Sequence, residues 1–187
     1  MAEHPIDDAI GLRGRPLSLL GNVRWSVGGS GIHAVVQFVM LLALARFGSA
    51  AEVGRYAWAL ALTAPVQLLS NLGLRGLLAS DVARSHSLGA YFVLNGLTSA
   101  LALLVSASLA LVLVSRSVAA VVLAVACSKA VESLCEVSYG VFQRSSRMDL
   151  IAWSLGWRAL LGGGGFVLAA WLWGDAFVST AALGTGW

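Results

Sequence analysis

Apolar residues fall into five long blocks, at about 27–45, 56–74, 90–114, 117–139 and 151–173, and most charges lie in the short stretches between them. Each block holds roughly the twenty residues needed to cross a hydrocarbon core of about 30 Å. Strand-like alternation is absent, which argues against a β-barrel. Without water in a bilayer, an isolated span must satisfy its own backbone polar groups, so each block predicts a helix. The predicted fold class is all-α: a polytopic transmembrane helix bundle over 27–187, preceded by a polar N-terminal segment at 1–26. A sixth block, 176–187, has twelve residues, too few to span. The chain therefore reads as five complete spans and the start of a sixth, the front portion of a longer protein.

Composition supports this reading. Hydrophobic residues make up 58% of the 187 and charged residues 11%, against about 25% charged in soluble domains. Nucleic acid is not an expected partner, because the net charge of +3 comes without a stacking pattern of aromatic and basic residues. In a membrane protein such an excess serves orientation and anionic headgroups. Placing the N-terminus in the cytoplasm puts Arg13, Arg15, Arg24, Arg75, Arg84, Arg144 and Arg147 on that side and Arg46, Arg55 and Arg116 on the other. That bias predicts a cytoplasmic N-terminus. Glu3, Asp7 and Asp8 do not fit a cleavable signal, so the first block acts as an uncleaved anchor. Trp153, Trp171 and Trp173 near the ends of the fifth block fit interfacial aromatic belts. Cys127 and Cys135, eight residues apart on one helix, are too distant to bridge and read as small buried residues.

The fourth block carries the chemistry. Lys129, Glu132, Glu136, Tyr139 and Gln143 recur at three- and four-residue spacing, which places them within an arc of about 80° on one helix face. Ser133 and Gly140 border that face, and the opposite face is Val, Ala, Leu and Cys. A charge at a bilayer centre costs about 2.5–3.5 kcal/mol on insertion scales, so such groups pair or line a cavity. Lys129 and Glu132 can pair at i, i+3, while Glu136 to Gln143 can also be read as the wetted end of the helix. Arg158 is the second deep charge, about eight residues into the fifth block. Folding the fourth and fifth blocks as a hairpin around Arg144–Asp149 brings Arg158 level with Glu136, with Glu132 one turn away. The expectation is that Arg158 faces one of these carboxylates.

His33, Gln37, Gln67, Asn71 and Asn95 extend a polar seam through the other blocks, each alone being most simply an interhelical hydrogen bond. Pro65 should kink the second span. Gly28, Gly29 and Gly31 permit close helix packing, and the run Gly162–Gly165 is a packing site or a hinge. The segment from Leu74 to Arg84 reads as an interfacial helix start or a solvated loop. No nucleotide loop, nucleophile elbow or metal-binding histidine pair is present, so neither an enzyme nor a cofactor is expected.

Several stretches, in order, carry a family resemblance. They are Asn22-Val-Arg-Trp25 before the Gly-rich first span, Glu52-Val-Gly-Arg-Tyr56, Ala64-Pro65, Asn71-Leu-Gly-Leu-Arg75 and Ser80-Asp81. Lys129-Ala-Val-Glu132-Ser133, Tyr139-Gly140-Val-Phe-Gln143-Arg144 and Met148-Asp149-Leu-Ile151-Ala152 complete the set. Together they resemble the N-terminal part of a polysaccharide-biosynthesis flippase. This is the O-antigen and lipid-linked oligosaccharide type within the multidrug/oligosaccharidyl-lipid/polysaccharide exporter superfamily.

The resemblance implies a bacterial inner-membrane transporter, with two pseudo-symmetric bundles of which this chain supplies less than one. It implies flipping of a polyprenyl-pyrophosphate-linked oligosaccharide for surface polysaccharide synthesis. The partners it implies are membrane lipid and the lipid-linked glycan, with a glycan polymerase or glycosyltransferases as candidates. Arg158, Lys129, Arg75 and Arg24 are, in that order, candidates to hold the pyrophosphate. Glu132, Glu136 and Asp81 are candidates for coupling a cation or balancing charge, and Gln143 lines the same face. Alternatives are a multidrug or cation exporter of the same superfamily, a membrane enzyme of glycan assembly, or a non-transporting structural subunit.

Overall fold

A computed structural model describes residues 17–81 and 87–185. The expectations placed on Glu3, Asp7, Asp8, Arg13, Arg15 and Arg84 lie outside the described residues. The chain runs α1 (Leu19–Phe47), α2 (Ala50–Ser70), α3 (Leu74–Ser80), α4 (Leu88–Leu113), α5 (Arg116–Arg144) and α6 (Met148–Arg158). One π-helical turn (Ala159–Gly163) then leads into α7 (Gly164–Trp173), and α8 (Ala176–Thr185) follows. No strand occurs among the described residues. Five segments are long and apolar enough to cross a membrane: Leu19–Phe47, Ala50–Ser80, Leu88–Leu113, Arg116–Arg144 and Met148–Trp173. The protein is a multi-pass membrane protein.

Helix ends follow caps rather than hydropathy. Ser18, Ser49 and Ser87 accept from the backbone N–H of Gly21, Glu52 and Ala90, starting α1, α2 and α4 before the apolar blocks begin. The α1 helix therefore takes in residues 19–26, which by hydropathy belong to the polar segment. At the other extreme, the second apolar block breaks early. α2 ends at Ser70, and Leu72 (φ 47°) and Gly73 (φ 63°) turn the chain before α3 begins. Pro65 lies inside α2, which continues as helix through it to Ser70.

α5 is the central post, packed against α2, α3, α4 and α8. α1 lies along α6, the π-turn and α7. Met40, Leu44, Tyr56, Ala59, Val121, Val122, Val125 and Phe166 form one core, with the Tyr56 and Phe166 rings 5.5 Å apart at their centroids. A second core gathers Leu74, Leu78, Tyr91, Val137 and Val141 from α3, α4 and α5. Gly140 lets α3 sit directly on α5, since a Cβ there would meet the Arg75 carbonyl oxygen at 3.0 Å. Gly163 plays the same part for α1, because its Cβ would fall 2.3 Å from Val36 Cγ1. The Gly162–Gly165 run thus serves close packing within a continuous helical span, with the π-turn immediately before Gly164.

Where α1 turns into α2, Gly48 abuts Gly174, and Glu52 accepts from the Ala176 N–H at 3.0 Å while pairing with Arg55. This clasp fixes the start of α8 to the start of α2. Trp153, Trp171 and Trp173 point outward and are exposed. The cysteines depart from the sequence expectation. Cys127 is exposed and Cys135 half-buried, because the apolar face of α5 that carries them is not fully covered by this chain.

Candidate functional site

Two of the charges foreseen on α5, Lys129 and Glu132, line a cavity of about 540 Å³. Its walls come from α1 (His33, Gln37, Met40), α2 (Tyr56, Leu60), α5 (Ser128, Lys129, Glu132), α6 (Arg158) and α8 (Thr180). Depth follows from counting. Lys129 lies one residue from the midpoint of the 29-residue α5, and His33 is at the midpoint of the 29-residue α1. Arg158 is within three residues of the middle of the span Met148–Trp173. Glu132 is two residues from the midpoint of α5, so at 1.5 Å per residue Lys129, Glu132, His33 and Arg158 all lie within a few ångströms of the centre of their spans.

Glu132 joins the two halves of this site. Its Oε2 lies 2.6 Å from Lys129 Nζ, and its Oε1 lies 2.9 Å from Arg158 Nη2. The hairpin expectation is met: of the two carboxylates, Arg158 faces Glu132. Arg158 is the most enclosed of the three, with a side chain 7% exposed against 17% for Glu132 and 29% for Lys129. It also donates through Nη1 to Tyr139 Oη at 3.4 Å, and Tyr139 Oη lies 2.8 Å from Ser154 Oγ. Among the described residues that line the cavity, two cations share one carboxylate. His33 and Gln37, 2.9 Å apart, add polar groups on the facing helix.

A second cluster lies about one to three turns along α5 from Glu132. Arg75 Nη1 donates to Glu136 Oε2 at 2.8 Å and Arg75 Nε to Gln143 Oε1 at 3.3 Å, and its guanidinium sits 5.5 Å from the centroid of the Tyr139 ring. Tyr139 thus connects the Arg75 and Arg158 clusters. Between them lies a smaller recess of about 240 Å³ lined by Gln67, Asn71, Lys129, Glu132, Ser133 and Glu136.

Two foreseen residues stand apart. Asp81, at the end of α3, accepts from Tyr91 Oη at 3.2 Å, and Arg24 is exposed on α1 with no ion pair among the described residues. Neither lines the cavity or the recess.

Asn71 and Asn95, expected to bond between helices, do so in a buried hydroxyl–amide network with Ser133 and with Ser99, which the sequence reading missed. Asn95 Nδ2 donates to the Ser133 carbonyl at 2.9 Å, and Ser99 Oγ donates to Ser133 Oγ at 3.0 Å. Ser133 Oγ in turn lies 2.9 Å from Asn71 Oδ1 and 3.1 Å from Asn95 Oδ1. Asn71 and Asn95 stood out as single polar residues, but their pairing depends on how α2 and α4 approach α5. Ser154 was also missed, although reflecting Tyr139 through the 146–147 turn lands on it, as the same reflection located Arg158. Among the described residues no group of three His, Cys, Asp or Glu is placed to hold a metal ion.

Comparisons with known proteins point to polysaccharide biosynthesis. The capsular polysaccharide biosynthesis protein CapF of Staphylococcus aureus is 28% identical over 127 residues, covering 67% of this chain and 31% of CapF. The chain thus spans about a third of that relative. No solved structure matches significantly. The family described as polysaccharide biosynthesis protein matches residues 19–185, from the first residue of α1 to the last of α8, and the chain belongs to that family.

Proposed function

We propose that this chain forms part of a translocase that moves a polyprenyl-diphosphate-linked oligosaccharide across the bacterial inner membrane, with its N-terminus in the cytoplasm. The carrying observation is the mid-membrane pair of cations, Arg158 and Lys129, held on one carboxylate at the wall of a large cavity. A diphosphate can replace Glu132 as the partner of either cation, so the ligand's charge is matched without moving a bare ion into hydrocarbon. The apolar part of the same wall, including Met40 and Leu60, suits the lipid. A cation exporter fits less well, because the deep carboxylate already faces two basic groups.

The test replaces the complete gene in its own cell with Arg158→Ala and Lys129→Ala versions and measures surface polysaccharide and lipid-linked precursor on each leaflet. Loss of a charge-assisted bond costs about 1.5–3 kcal/mol, so translocation should fall about tenfold or more, with precursor accumulating on the cytoplasmic leaflet. Unchanged surface polysaccharide in both variants at normal protein level would remove the proposal.

A further inference from the structure

We propose that the recess between α2 and α5, lined by Gln67, Asn71, Ser133 and Glu136, is a sugar subsite that receives the first saccharide attached to the diphosphate. This rests on the reading of Arg158 and Lys129 as the diphosphate site. Lys129 and Glu132 line both spaces, so a group held at the cavity wall has its next substituent directed into the recess.

The recess chemistry selects a neutral, hydroxyl-rich ligand. Both nearby carboxylates have basic partners: Glu136 faces Arg75, and Glu132 faces Lys129 and Arg158. A cationic ligand would find no unmatched negative charge. The amides, by contrast, are only half engaged. Gln67 Nε2 donates to the Lys129 carbonyl at 3.4 Å, which leaves its Oε1 available as an acceptor. Asn71 Oδ1 accepts from Ser133, which leaves its Nδ2 as a donor. Glu136 Oε1 remains as a second acceptor beside Oε2, which Arg75 occupies. One amide donor and two acceptors therefore remain on residues lining a space of about 240 Å³, large enough for a sugar ring. Sugar hydroxyls, each both donor and acceptor, are the groups that satisfy such a set. The scaffold is fixed, since Asn95 and Ser99 of α4 hold Ser133.

The experiment compares two probes on the complete protein in lipid nanodiscs: a polyprenyl diphosphate without sugar, and the same lipid bearing its oligosaccharide. Gln67→Leu and Asn71→Leu should each weaken the glycosylated probe by about three- to tenfold, the value of one or two neutral hydrogen bonds, and leave the sugar-free probe unchanged. Retained binding of the sugar-free probe shows that each variant is folded. Equal weakening of both probes, or of neither, overturns the sugar subsite and leaves the diphosphate reading standing. Failure of the unsubstituted protein to bind either probe overturns both.

Discussion

Replacing Glu132 by Gln removes the one carboxylate shared by Lys129 and Arg158. The geometry sets the cost. Arg158 is 7% exposed and sits 2.9 Å from Glu132, near the middle of its span. Unit charges about 4 Å apart attract by about 4 kcal/mol at an effective dielectric of 20, and stripping one partner from a buried pair costs about 3–5 kcal/mol. The adjoining cavity admits water, which favours the lower end, so Glu132→Gln should destabilise the bundle by about 3 kcal/mol. Arg158→Met is milder, because Glu132 keeps Lys129 at 2.6 Å; about 1–2 kcal/mol is expected, mainly from lost packing and one ion contact. In the double variant, Lys129 is the remaining cation and is 29% exposed, so the two losses should not add, with a coupling of about 1–3 kcal/mol. Reversible unfolding in bicelles, read on the two single variants and the pair, gives the cycle. Strictly additive losses, or a Glu132→Gln cost no larger than that of Arg158→Met, would refute the shared-carboxylate account.

Gly163→Ala should cost about 1–3 kcal/mol in the same assay, because its Cβ meets Val36 Cγ1 at 2.3 Å and Val is stiff about χ1. Adding Val36→Ala should restore part of that loss. Ser133→Ala, which removes the hydroxyl and leaves Asn95, Ser99 and Asn71 short of a partner, should cost about 1–3 kcal/mol. Arg75→Ala should cost at most about 1 kcal/mol, since its pair with Glu136 is 38% and 30% exposed. For the orientation, Ser80→Cys and Ser115→Cys in a background without Cys127 and Cys135 report opposite sides. In intact cells an impermeant thiol reagent should label the second and spare the first, and the reverse pattern would invert the topology.

The parts of the site that were readable in the sequence are those governed by one helix or one turn. Lys129, Glu132, Glu136, Tyr139 and Gln143 share a face because the helical repeat dictates it, and Arg158 reaches Glu132 because a hairpin is a mirror. Arg75 was a candidate, but its partnership with Glu136 spans 61 residues and depends on the break at Leu72–Gly73. That break was hidden inside an unbroken apolar block, because Leu72 adopts a positive φ that its side chain does not announce. The role of Gly163 was open between hinge and packing until the position of Val36 decided it. The cysteines were misplaced for a related reason. A bilayer-facing helix surface is as apolar as a buried one, so composition does not distinguish Cys127 against lipid from Cys127 in a core.

The π-turn at Ala159–Gly163 has a geometric consequence. It threads one additional residue into the span without breaking it, which shifts the downstream half by about 100° from where an unbroken α-helix would aim it. The segment ending at Arg158 and the segment holding Phe166, Ala169 and Ala170 are thereby phased separately. Excising Leu160 would let the ladder close into ordinary α-helix with Arg158 and Phe166 both keeping their directions, whereas closing it without a deletion would swing Phe166 away from Tyr56. Arg158, more enclosed than Lys129, is followed at once by a rotational spacer, so the direction it faces is set independently of how the far half of its helix seats in the core.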